Sequence, residues 1–154
     1  MVNYDDLSVR PIITACGTGT RLGGAPLRQE ALAAYEQASL EAVPIEELQT
    51  AVSQQLASWI GCEAGIVTSG AAAALTLGAA AILAGSDPAK MECLPHTEKM
   101  PCDFIVSRDH RSGYDHAVRA SGARLKEVGL NEVVSGAGVR RTEAWEYEAA
   151  IDDN

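Results

Sequence analysis

The residues best suited to do chemistry fall in three short runs. The first is Val67-Thr68-Ser69-Gly70-Ala71-Ala72-Ala73-Ala74. Its apolar lead-in, residues 64–68, reads as a short strand, and an alanine-rich helix begins at once. The open N–H groups at the start of such a helix, together with its dipole, make a seat for an anion, and a phosphate fits it well. Ser69 adds a hydroxyl, and Gly70 lets a ligand come close to the backbone. The same residues suit a tight strand-to-helix turn in which small side chains serve packing alone, and the junction by itself leaves both readings open.

The second run is Arg108-Asp109-His110-Arg111-Ser112-Gly113-Tyr114-Asp115-His116-Ala117-Val118-Arg119. His110, at a strand end, can stack on a flat ligand, form a hydrogen bond or move a proton near neutral pH. His110 and His116 each follow an aspartate, Asp109 and Asp115, but their spacing of six puts them on different faces of any helix. A metal shared between them is therefore not expected, and His116 reads as a helix-surface or dimer-contact residue. The third run, Gly17-Thr18-Gly19-Thr20-Arg21-Leu22-Gly23-Gly24, has four glycines in eight residues and a single charge, Arg21. Its backbone must take unusual angles or approach something closely. Arg21 is either a solvated loop arginine or a forked clamp for carboxylate or phosphate. Residues 65–70 lack the G-x-S-x-G form of a nucleophile elbow, and the carboxylates of 143–153 read as a solvated helix face.

These runs need elements to hold them. Residues 1–9 read as a loose arm, and Pro11 to Cys16 as a short extended piece. Pro26 opens a helix through Leu27, Ala31, Ala34, Tyr35 and Ala38 to about Glu41. Pro44 opens another, with Glu46 and Glu47 in its first turn. Its apolar face is Ile45, Leu48, Val52, Leu56, Trp59 and Ile60, with Trp59 expected in the core, and Gly61 ends it. The helix over 70–84, closed by Gly85, is small on nearly every side and can lie tightly against neighbours. Asp87 caps a short helix with Pro88 at its first position, and Pro95 stops it. Residues 103–107 form the second strand and 123–128 the third. A helix starts near Ser112 or Gly113 between them. A glycine-containing loop over 131–141 leads to a final helix over 142–151, with Thr142 as its cap. Strand–helix alternation at this spacing argues for a parallel sheet with right-handed crossovers. Ligands bind beyond the C-terminal strand ends of such sheets, which would bring Ser69-Gly70 and Arg108-Asp109-His110 to one edge.

Composition narrows the class. The 154 residues fit one ordinary domain. Hydrophobic residues make up 47%, with one Phe and two Trp, so the core is expected to rest on Ala, Leu, Val and Ile. A net charge of −9 argues against a general basic face for nucleic acid. The N-terminal residues have no signal-peptide pattern, and the apolar run 71–84 is shorter than the ~20 residues that a bilayer needs. The expectation is a cytoplasmic protein. Cys16, Cys62, Cys93 and Cys102 form no C-x-x-C pair, so neither zinc nor a disulfide framework is expected.

Taken in order, these motifs resemble a known family. Ile13 to Gly24, Glu46-Glu47-Leu48-Gln49, Val67 to Ala74, Ala84 to Lys90, Arg108 to Arg119 and Ser121 to Gly129 are similar to the selenocysteine synthase-like group of pyridoxal phosphate enzymes. That group includes L-seryl-tRNA(Sec) selenium transferase and ammonia-lyases of the D-glucosaminate-6-phosphate type. The resemblance covers about residues 10–152. It implies an α/β fold: an incomplete aspartate-aminotransferase-like large domain (fold type I), with N-terminal helices followed by a partial, mainly parallel sheet. Residues 1–25 would be an arm with the glycine-rich loop. Residues 26–154 would be the truncated large domain, with helices over 26–61 and a β/α portion over 62–154.

The resemblance also implies a cofactor, pyridoxal phosphate, at a dimer interface. Ser69, Gly70 and Ala71 would hold its phosphate through backbone N–H groups, and His110 would lie on its ring. Arg108, Arg111 and Tyr114 would line the entrance, and Arg21 would grip a substrate anion. The implied reaction is an α,β-elimination on a phosphorylated or tRNA-linked amino acid, with the acidic balance favouring a small phosphorylated or anionic one. In the family, the lysine that forms the Schiff base and the aspartate on the ring nitrogen lie further along. Lys90, Lys99 and Lys126 match no part of that lysine motif, so no catalytic residue is assigned. The chain then reads as the N-terminal part of such an enzyme, inactive alone, working as a homo-oligomer or with its missing C-terminal part. The alternative is a non-catalytic remnant serving as an oligomerisation or phosphate-ligand-binding module.

Overall fold

The structure, a computed structural model, describes residues 3–129 and 141–153. It divides into two compact units, Met1–Leu48 and Gln49–Asn154.

In the first unit, residues 3–9 are more ordered than a loose arm. The Asn3 and Asp6 side chains each accept the other's backbone N–H, at 3.0 and 2.9 Å respectively, and Val9 N–H reaches Tyr4 O at 2.9 Å. The glycine-rich loop holds a 3-10 turn, Thr20–Leu22, flanked by Gly17, Gly23 and Gly24 at positive φ. The unusual backbone angles expected there are present. Helix α1, Gln29–Ala38, follows. No described residue of this unit is buried.

Helix α2, Ile45–Ile60, crosses from the first unit into the second. Residues 64–68 run beside it but are not a strand among the described residues. A strand is defined by its ladder, and this segment bonds to side chains instead. Gly65 N–H donates to Ser53 Oγ at 3.0 Å, and Gln49 Nε2 donates to Val67 O at 3.1 Å. Trp59, expected in the core, is 73% exposed, as is Ile60 beside it at the end of α2.

Helix α3, Ala71–Ala84, carries most of the buried apolar surface: Ala79, Leu83 and Ala84 are buried, together with Ala123. Its small residues let α4, Pro88–Cys93, and α5, Asp115–Arg119, pack against it. Thr76 Oγ1 donates to Ala117 O at 2.8 Å and ties α3 to α5. Asp87 caps α4 as its sequence predicts, with Oδ1 accepting from Ala89 N and Lys90 N.

Strands β1, Asp103–Ser107, and β2, Arg124–Val128, pair in parallel, in register from Asp103↔Arg124 to Ser107↔Val128. The sheet thus has two strands among the described residues rather than three. The first registered pair is also an ion pair, Arg124 Nε to Asp103 Oδ1, which holds the Arg124 guanidinium above its ordinary pKa. At the turn into β2, Gly122 has φ 96°, and a Cβ there would sit 2.3 Å from Pro95 O. Only glycine fits. The Gly122 carbonyl accepts from the buried Thr97 hydroxyl at 2.7 Å.

The final helix, α6, is Ala144–Glu148, shorter than expected, and starts after Glu143 rather than Thr142. Thr142 does not cap it because its hydroxyl is bonded to buried Ser107 Oγ at 2.6 Å. Glu146 instead turns back to accept Glu143 N–H at 2.7 Å. The loop expected over 131–141 lies outside the described residues except for Arg141. No helix among the described residues is long and apolar enough to cross a membrane.

Candidate functional site

Two features of the second unit can handle an anion. The first is the start of α3. Gly70 precedes it with φ 148° and ψ 176°, a conformation that a side chain would strain. Thr68 Oγ1 bridges the turn, donating to Gly70 O at 3.0 Å and accepting from Gly70 N at 3.4 Å. The Gly70 carbonyl then takes the first helical bond, from Ala74 N at 3.0 Å. The N–H groups of Ala71, Ala72 and Ala73 precede that bond, and among the described residues no side chain caps them. The first turn has no acidic residue to compete with an anion, and the space in front of Gly70 is open. Ser69 is exposed just before it. The donors, the open approach and the dipole of a 14-residue helix fit a phosphate group.

A hollow of about 720 Å³ flanks this turn, lined by Ala72, Ala73 and Thr76 of α3 and by Ser112, Tyr114 and His116 on the α5 side. Tyr114 therefore shares a surface with the α3 turn. His116 shares it too, although its spacing from His110 suggested only a surface or contact role. Its Nδ1 lies 2.9 Å from Arg119 Nη2. No local spacing signals His116: it lies two residues after Tyr114, which caps α5, and the shared hollow is seen only once α5 packs against α3.

The second feature is the loop after β1. A 3-10 turn, Arg108–His110, leaves the strand directly, with Ser107 Oγ accepting from Asp109 N at 3.2 Å. His110 borders a separate hollow of about 590 Å³ with Ser107, Asp109, Arg141, Thr142 and Tyr147. Arg108 and Arg111 converge on one carboxylate, that of Glu127 in β2. Arg108 Nε donates to Oε1 at 2.7 Å and Arg111 Nη1 to Oε2 at 2.5 Å. Arg111 Nε also donates to Asp115 Oδ2 at 2.5 Å.

The charges answer one another. The bonds from Arg108 and then Arg111 hold the Glu127 carboxyl below its usual range. The Arg111 bond does the same for Asp115, and Asp115 with Glu127 raises Arg111. Glu127 was not among the residues expected at the site. Its sequence signal is the single acid of β2, a strand that also carries Arg124 and Lys126, and it becomes visible only once the register puts Glu127 opposite Val106, two residues before Arg108.

The structure thus brings Tyr114 to the α3 turn and puts Arg108, His110 and Arg111 on one loop. Because residues 64–68 are not a strand, Ser69-Gly70 reach their place through α3 and not through a sheet edge. Arg21 lies exposed on the 3-10 turn of the first unit. Among the lysines, Lys126 Nζ is held by Asp152 Oδ2 at 2.6 Å.

No protein-family model matches the chain. Individual proteins do. The chain is 27% identical over 154 residues to the D-glucosaminate-6-phosphate ammonia lyase of Salmonella typhimurium (strain 14028s / SGSC 2262), a match that takes in 97% of this chain and 40% of that protein. It is 31% identical over 156 residues to a 5'-C-glycyluridine monooxygenase-decarboxylase of Streptomyces sp., covering 95% of this chain and 39% of that protein. A solved structure of D-glucosaminate-6-phosphate ammonia-lyase matches with a TM-score of 0.87 at 27% identity, over 97% of this chain and 40% of that one. The chain therefore spans about 40% of the length of the curated relatives it matches. In sequence and in fold it is a relative of the ammonia-lyase group that its motifs resemble, and pyridoxal phosphate is the cofactor which that relationship implies.

Proposed function

We propose that this chain is the phosphate-holding portion of a fold-type I pyridoxal phosphate enzyme, a lyase or transferase acting on a small phosphorylated or otherwise anionic amino acid. The observation that carries this reading is the α3 turn, with the strained Gly70 and the uncapped N–H groups of Ala71 to Ala73. Ser69, Gly70 and Ala71 would hold the cofactor phosphate, and His110 would face its ring. Tyr114, Arg108 and Arg111 would meet the substrate. When bound, the cofactor would supply an electron sink that stabilises negative charge on the amine-bearing carbon.

This chain's residues bind and orient. The backbone donors fix the phosphate without a counter-cation. The guanidinium groups offer forked contacts to a carboxylate or phosphate. His110 can shield the ring or hold a proton at a ring nitrogen. The two relatives are named for different reactions yet share this span. That supports a role in binding that both would need, with the reaction chosen elsewhere. The reading includes a lysine supplied from outside residues 1–154, a homo-oligomer or complementing chain as the working form, and an arm and glycine-rich loop over 1–25 ahead of the domain proper.

The test is an absorbance titration of the chain with pyridoxal 5'-phosphate, followed by borohydride reduction and peptide mapping. Saturable binding without a labelled lysine is the expected result. A single labelled lysine would place the covalent chemistry within this span. Absence of saturable binding would sink the cofactor reading and leave the non-catalytic module.

A further inference from the structure

We propose that Glu127 is the positioning residue of the His110 loop: its carboxylate holds Arg108 and Arg111, which bracket His110, in a single arrangement. Each oxygen serves one guanidinium, Oε1 for Arg108 at 2.7 Å and Oε2 for Arg111 at 2.5 Å. Glu127 stands one pair before the last rung of the parallel ladder, opposite Val106, and so beside the point where the chain leaves β1. Asp115 completes the clamp. Its Oδ2 takes Arg111 Nε at 2.5 Å and its Oδ1 takes Ser112 N–H at 3.2 Å. The loop is thus fastened before and after His110 by side chains of β2 and α5.

The arrangement leaves contacts to give. Arg108 uses only Nε, and among the described residues its terminal amino groups have no acceptor. Arg111 uses Nε and Nη1, which leaves Nη2. An incoming carboxylate or phosphate meets two guanidinium groups that are already oriented, so less side-chain freedom is lost on binding. Both acids are held below their usual pKa by these bonds, so the clamp stays charged at neutral pH. The ligand-facing side of this inference rests on the reading of His110 and the arginines given above. The clamp itself does not.

The experiment compares the full chain with its Glu127→Gln variant, which keeps the volume and removes the charge. In the absence of any cofactor, the ring proton signals of His110 should move or broaden, while those of His96 stay in place. Affinity for pyridoxal 5'-phosphate should fall by roughly threefold, the scale of a partly exposed ion pair. Glu127→Asp keeps the charge but is one carbon short of reaching both arginines, and should shift the same signals less; it serves if Glu127→Gln does not fold. Unmoved His110 signals in both variants would overturn the clamp. So would tighter binding of inorganic phosphate by Glu127→Gln, since the carboxylate would then be a competitor for the arginines. Moved His110 signals with no cofactor binding by any form would keep the clamp and sink the cofactor reading alone.

Discussion

The start of α3 and the loop after β1 handle an anion in opposite ways. At α3 the donors are neutral backbone N–H groups, uncapped among the described residues. On the loop the donors are two guanidinium groups already paired with Glu127 and Asp115. A helix holds its N–H groups rigid through its own hydrogen bonds, so they can stay open at no cost in order. Arginine side chains on an exposed loop have no such scaffold. They are fixed only when acids of neighbouring elements take part of their bonding capacity, and an incoming anion gets what remains. The first region therefore suits a permanently held phosphate, and the second a group that arrives and leaves.

The contrast can be broken most sharply at Gly70. A valine there must adopt φ near 148°, at a strain of about 1–3 kcal/mol. Relief of that strain by rotating the turn would misdirect the three open N–H groups. Gly70→Val should weaken pyridoxal 5'-phosphate binding by about tenfold or more, measured by titration, with the helical circular dichroism signal retained.

Thr142→Val should come next, as it removes the 2.6 Å partner of buried Ser107 Oγ below the His110 loop. A loss of about 1–2 kcal/mol in urea unfolding is expected. No change would mean that Ser107 is satisfied by Asp109 N–H alone.

Thr76→Val cuts the bond between α3 and α5, 2.8 Å from Thr76 Oγ1 to Ala117 O, at about 1 kcal/mol by the same measure. It should also lower cofactor affinity slightly, since Tyr114 precedes α5 directly. An unchanged unfolding midpoint would separate the two helices energetically.

The smallest effect concerns pH. Glu127 and Asp115 both have their pKa lowered in the folded chain, so they contribute stability above the ordinary carboxylate range and lose it as pH falls through their lowered values. His110 loop signals should hold steady through the ordinary carboxylate range and change only below it. A change within that range would show that the loop is not clamped. The α3 turn has no acid in its first turn and should not respond.

The helices were readable because their signals are local. Proline at the start, acids in the first turn and glycine at the end placed α2, and Asp87-Pro88 placed α4 with its cap. β1 was also readable, since Phe104-Ile105-Val106 is a short apolar run bounded by turn residues. Residues 64–68 look the same in sequence, but a strand depends on a partner, and Ser53 and Gln49 of α2 supply their bonds instead. Trp59 misled for a related reason: an apolar face predicts burial only where another element covers it. In the site, the glycine and alanine composition of 70–74 revealed the backbone donors. Glu127 stayed hidden because its function depends on strand register, which no local pattern carries.

The most direct test of the α3 seat compares two ligands that differ only in the phosphate. Pyridoxal 5'-phosphate and pyridoxal are titrated against the full chain and against Gly70→Val. The seat predicts that the wild-type chain prefers the phosphorylated ligand by about tenfold or more, and that Gly70→Val loses most of that preference. Equal affinity for both ligands in the wild-type chain, or a preference that Gly70→Val leaves intact, would contradict it.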